Sequence, residues 1–127
     1  MYNKDVFKER VMKTQSAMQA ASRGKLEPTI ENKIISELSG IYLTMADKYE
    51  QAVNDGSDFP VLRAVTGKPK EHQMVYALQD LIERMELDFT LKLVNSVKHD
   101  LTKEVEIGKI QIAFLDSMRR NLHEASN

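Results

Sequence analysis

Residues 85–105 read MELDFTLKLVNSVKHDLTKEV, and the fold of the whole chain turns on how this stretch is read. Met85, Phe89, Leu93, Val97, Leu101 and Val105 recur at every fourth position. On a 3.6-residue helix such steps drift slowly around the axis, so these side chains form one gently wrapping apolar stripe. Leu78, Leu81 and Ile82 extend the stripe upstream, and Ile107, Ile110, Phe114, Met118 and Leu122 continue it downstream. The same stretch also alternates, through Leu87, Phe89, Leu91 and Leu93, then Val105 and Ile107, then Ile110, Ile112 and Phe114. Alternation is the strand signal. It defines an α+β alternative near residues 86–115, with 86–94 paired against 104–115 through the polar segment 95–103. Helix is preferred because the four-residue series crosses that would-be turn in register, and no Asn-Gly or Asp-Gly pair occurs there.

Working outward, the first segment predicts an amphipathic helix from Asn3 to Arg23, with Phe7, Val11, Met12, Met18 and Ala21 on one side. Asn3 is placed to cap it and Gly24 to end it. A second helix opens at Pro28-Thr29, with Thr29 as the expected cap and Glu31 near its positive end. Ile30, Ile34, Leu38, Ile41, Met45, Tyr49 and Ala52 form its expected seam, and Asn54-Asp55-Gly56 its stop. Gly40 interrupts this helix and suggests a close crossing by a neighbour; Gly108 raises the same question later. Asp58 and Pro60 predict a short helix through Val65, and Gly67 its end.

Charge is polarised between the first two helices. Lys4, Lys8, Arg10, Lys13, Arg23 and Lys25 outnumber Asp5 and Glu9 in residues 1–25, whereas residues 26–58 carry Glu27, Glu31, Glu37, Asp47, Glu50, Asp55 and Asp58 against only Lys33 and Lys48. An antiparallel pairing of the two would neutralise much of the basic charge internally. The whole chain has a formal net charge of -1, which gives no general pull toward nucleic acid or anionic membrane.

With 127 residues, 42% hydrophobic and 29% charged, the chain fits one helical domain over residues 1–127. It contains no cysteine, which removes disulfides, thiolate metal sites and cysteine nucleophiles. The charged N-terminal segment has no apolar run, so neither a signal peptide nor a membrane span is expected, and cytoplasmic residence is. His72, His99 and His123 each adjoin a carboxylate, but neighbours on a helix point about 100° apart and make no shared ligand face. No His-Glu-x-x-His or Glu-x-x-His occurs, and nucleophile elbows and dinucleotide glycine fingerprints are absent. A helix-turn-helix around Gly67 fails on packing, with Arg63 where a small residue belongs and Gln73 where an apolar one does. No catalytic, cofactor-binding or metal-binding residue is assigned.

Six of the seven methionines, Met12, Met18, Met45, Met74, Met85 and Met118, fall on or beside the apolar stripes as core filler or adaptable surface. Helix length supplies the functional signal. A compact domain of this length has a diameter of roughly 36 Å, whereas helices over 29–54 and 70–100 would reach about 39 and 45 Å. The second must either break near Asp88 or Asn95, or project and bury its stripe against a partner. The expectation is an all-α bundle of four to five helices acting as a non-enzymatic protein-binding accessory, adaptor or regulatory factor. It would work through the apolar face of its C-terminal helices, with Ile107, Ile110, Phe114, Leu115 and Met118 against another protein or a second copy in a homodimer. The alternative is a nucleic-acid-associated protein whose Lys4, Lys8, Arg10, Lys13, Lys68 and Lys70 contact phosphates. A small enzyme using exposed carboxylates is the third reading.

Overall fold

The computed structural model describes residues 1–21, 25–56 and 59–127. These form five helices and no strand: α1 (Lys4–Ala20), α2 (Pro28–Asp55), α3 (Pro60–Arg63), α4 (Lys70–Lys98) and α5 (Thr102–Ala125). Residues 86–98 and 102–115 are helical, which overturns the hairpin alternative. The four-residue series does not run through one helix, however, because the chain reverses at residues 99–101. The N–H groups of His99, Asp100 and Leu101 donate to the carbonyls of Asn95, Val97 and Ser96 at 3.1, 3.3 and 2.9 Å. Asp100 takes the left-handed conformation at φ 55 that this helix stop requires. No glycine marks the position, so the sequence concealed it.

Asn3 caps α1 as expected, its Oδ1 accepting the Val6 N–H at 3.1 Å. At α2 the expected cap is corrected: Pro28 occupies the first helical position, where its fixed φ is pre-organised and its missing N–H is not needed. Thr29 therefore lies inside the helix. Gly56 closes α2 at φ 67, and Gly67 turns the chain into α4 at φ 89. The expected roles of Gly24 and Asp58 lie outside the described residues. The short helix ends at Arg63, earlier than Val65.

The long helices run alternately up and down, with α1 against α2, α2 against α4, α4 against α5 and α5 back against α1; α2 also touches α5 across the bundle. At the centre Tyr42 of α2 meets Phe114 of α5, ring centroids 6.1 Å apart, and donates its hydroxyl to Met85 Sδ of α4 at 3.3 Å. Burial pushes the Tyr42 phenol well above its usual pKa. Phe7, Val11, Ile35, Leu78, Ile82, Leu115 and Met118 complete the sealed core. Tyr49 and Phe59, edge to face at 5.8 Å, tie α2 to the segment before α3.

The expected seam of α2 is buried at Leu38, Tyr49 and Ala52 but not elsewhere: Ile41 is exposed and Ile30, Ile34 and Met45 are half-buried, while Ile35, Tyr42, Ala46 and Val53 are buried instead. A helix with neighbours in α1, α4 and α5 buries a wide arc, and its centre lies between the two possible residue series. The close crossing suggested at Gly40 is also corrected: a Cβ there would meet nothing within 4 Å. At Gly108 the crossing is real, for a Cβ there would stand 3.0 Å from Leu93 Cδ1.

The basic helix and the acidic helix do find each other. Lys4 binds Asp47 and Glu50 at 3.1 and 2.8 Å, and Lys8 binds Asp47 at 2.8 Å. Hydrogen bonds from Lys8 and then Lys4 hold the Asp47 carboxyl below its usual pKa, while Glu50 and then Asp47 raise that of Lys4. At the same end of the bundle the Asn3 N–H donates to the Ala125 carbonyl at 2.8 Å, joining the start of α1 to the end of α5.

Candidate partner-binding face

Helix α4 is unbroken for 29 residues, through both Asp88 and Asn95, and extends about 44 Å. Its N-terminal half is in the core through Ala77, Leu78 and Ile82. In its C-terminal half, Met85 and Phe89 are half-buried against the core, and Leu93 lies on Gly108 of α5. Glu86 locks this hairpin through Arg119, at 2.7 Å.

The opposite side of the same turns is also apolar. Leu87, Leu91, Val94 and Val97 are 63%, 62%, 58% and 58% exposed. At 100° per residue Leu87, Leu91 and Val94 fall within one narrow arc, about 180° from the arc of Met85, Phe89 and Ser96, and Val97 lies about 60° to one side of it. Leu101, 41% exposed, follows at the hairpin end. The row is framed by charge: Arg84 pairs with Asp80 at 2.7 Å and Lys92 with Asp88 at 3.0 Å, each one helical turn apart. Single exposed leucines are ordinary on a monomer, but an aligned row of them is not.

The residues expected to carry a partner lie elsewhere. Phe114, Leu115 and Met118 are completely buried in the chain's own core, and Ile107 and Ile110 are half-buried on α5. The width of the α5 apolar surface is accounted for by its neighbours α1, α2 and α4. The outward row on α4 was missed as a site, although its signal was present: the alternation of Leu87, Phe89, Leu91 and Leu93 marks a helix that is apolar on two opposite faces.

The basic residues are dispersed among carboxylates. Besides Lys4 and Lys8, Arg10 approaches Glu124 at 3.8 Å and Lys13 binds Glu9 at 3.1 Å. Lys70 donates to Asn54 Oδ1 at 3.4 Å, and Lys68 lies on the exposed Gly67 turn. The structure does not bring these six cations together into one unopposed stripe. A groove of about 560 Å³ lies between the end of α1 and α5, where Met18, Leu26 and Ile110 are flanked by Glu106, Lys109 and Arg120. No cluster of three or more His, Asp or Glu suited to a metal ion occurs among the described residues, and no helix there is long and apolar enough to cross a membrane. Compared with known proteins, the chain matches no family model, no curated protein and no solved structure.

Proposed function

We propose that this chain is a non-enzymatic protein-binding factor, of the adaptor, accessory or regulatory kind, that seats a partner on the outward face of α4. The observation that supports this reading is the row Leu87, Leu91, Val94 and Val97, held in the open on a helix whose other face is anchored to α5. Covering a fully exposed Leu or Val side chain is worth about 1.5–3 kcal/mol, and with 58–63% of each left to cover the four supply on the order of 4–7 kcal/mol gross. Association consumes much of that, and what is left suits a reversible complex. The rigidity of the helix helps, because the face is ordered before the partner arrives.

A photo-crosslinking residue placed at Leu91 tests this in cells that make the protein, with the same residue at exposed Lys33 as control. The expected result is a discrete adduct at position 91 and none at 33. Combining the probe with Leu87→Gln and Val94→Gln should remove the adduct while the helical circular-dichroism signal and melting temperature hold. Equal labelling at both positions, or an adduct indifferent to the glutamines, overturns the reading.

A further inference from the structure

We propose that the partner on the outward face of α4 is a second copy of this chain, paired antiparallel about a two-fold axis passing between Lys92 and Leu93. The inference rests on the partner-binding reading above and specifies its occupant. A two-fold interface applies one patch to itself, so a single unpartnered row completes it without a second surface.

Charge fixes the direction. If two α4 helices lie parallel and in register, Arg84, Asp88 and Lys98 each face themselves. If they lie antiparallel with Leu91 opposite Val94 of the second copy, Leu87 falls opposite Lys98 and Arg84 opposite Leu101. Lys98 then comes beside Asp88 of the second copy, and Arg84 beside its Asp100. Each attraction is made twice by symmetry. The long stems of Lys98 and Arg84 lie over Leu87 and Leu101 with their charges at the rim. No like-charged pair meets in this register, and the four layers at its centre contain Leu87, Leu91, Val94 and the lysine stem. In the monomer Asp88 and Arg84 already have partners one turn away in Lys92 and Asp80, so the new contacts extend existing pairs into a network.

The contact covers residues 84–101, of which the helical part from 84 to 98 is about 21 Å long. One helix pair of that length lies at the small end of specific interfaces. The dimer is therefore concentration-dependent, forming in the micromolar range rather than permanently.

Sedimentation of the full chain from micromolar to submillimolar concentration tests this, with Leu91→Glu as the disrupting variant. The expected result is a mass that rises from one copy to two, with dissociation at least tenfold easier for Leu91→Glu. Because Leu91 is exposed in the monomer, the variant's melting curve should stay close to wild type when both are dilute. The register is read separately by introduced cysteines, the chain having none of its own. Leu87→Cys mixed with Lys98→Cys should form a disulfide under mild oxidation, as should Leu91→Cys mixed with Val94→Cys, while Leu87→Cys alone should not link to itself. Self-linking at position 87 with no mixed product overturns the antiparallel arrangement. A monomer at every concentration overturns the second copy as occupant, and so does a dimer indifferent to Leu91→Glu. If the chain stays monomeric while the photo-probe at Leu91 captures a different protein, only the self-pairing falls; if that probe captures nothing either, the partner-binding reading falls with it.

Discussion

Leu93 lies directly over Gly108: a Cβ on that glycine would stand 3.0 Å from Leu93 Cδ1 and 3.2 Å from Leu93 Cβ. The two helices of the C-terminal hairpin touch here with nothing between backbone and side chain. Gly108→Ala gains about 1 kcal/mol of helix propensity but forces the α4–α5 crossing apart, an overpacking that costs about 1–3 kcal/mol. The net expectation in urea unfolding is a loss of up to about 2 kcal/mol. Leu93→Ala in the same chain should recover part of it, since the Cδ1 clash disappears and the Cβ clash stays.

Gly40 provides the opposite sign. It lies in the interior of α2, exposed, with open space where a Cβ would go. Gly40→Ala should stabilise the protein by about 0.5–1 kcal/mol, read as a higher urea midpoint with an unchanged slope. A loss of stability would mean that α2 is bent or approached at this point.

Asp100 is the only non-glycine residue at positive φ among the described residues. Aspartate tolerates this conformation better than most, and a β-branched residue tolerates it poorly. Asp100→Val should therefore cost about 1–2 kcal/mol, whereas Asp100→Gly should change stability by less than about 1 kcal/mol. The contrast between the two, measured by thermal melting, isolates the backbone from the lost carboxylate.

The contact of Lys8 and Lys4 with Asp47 makes stability depend on pH in a definite direction. The folded pKa of Asp47 is below its unfolded value, so its contribution is present above about pH 4 and is lost as pH falls through the folded pKa. The folded pKa of Lys4 is raised, so its contribution persists up to about pH 10 and fades above that. Half of the Asp47 side chain is exposed, which keeps the effect below about 1 kcal/mol. Asp47→Asn should be less stable than wild type at neutral pH, and the gap should close in acid. A gap that is constant with pH would assign the effect to packing.

Asn121 carries a link that no periodicity announces. It is nearly buried on α5, and its amide donates to the Arg10 carbonyl at 3.3 Å and to Thr14 Oγ1 at 2.9 Å. Asn121→Ala removes both bonds and leaves Thr14 half-buried, for an expected loss of about 1–2 kcal/mol. Thr14→Ala should cost less, because the bond to the Arg10 carbonyl survives.

Helix class, the pairing of α1 with α2 and the ends at Asn3 and Gly56 were legible because each depends on local chemistry: apolar spacing, opposite net charge, a capping side chain, a left-handed glycine. The reversal at Asp100 was not, since an ordinary residue occupies the position where glycine is the usual marker. Nor was the face of α2, where Ile41 and Tyr42 are both apolar and only the arrangement of three neighbours decides which is buried. The site shows the same limit. An apolar row in a sequence states that burial is needed and not what supplies it. On α5 the supplier is the chain itself, so Phe114, Leu115 and Met118 vanish into the core. On α4 the neighbours α2 and α5 lie on one side and cover one of its two rows, and Leu87, Leu91 and Val94 are left outside.

The hydrogen bond from Asn3 to the Ala125 carbonyl also has a mechanical meaning. Both ends of the described chain emerge at one end of the bundle, and α1 and α5 run antiparallel from there. Tension applied through the two ends would load that bond first and peel the helices apart one contact at a time, beginning with Arg10–Glu124 and the Asn121 amide. Shear, which must break all contacts of a helix pair together, is not the geometry offered. Strung in series with stiffer modules, this bundle would be the first to give way under load, at low force.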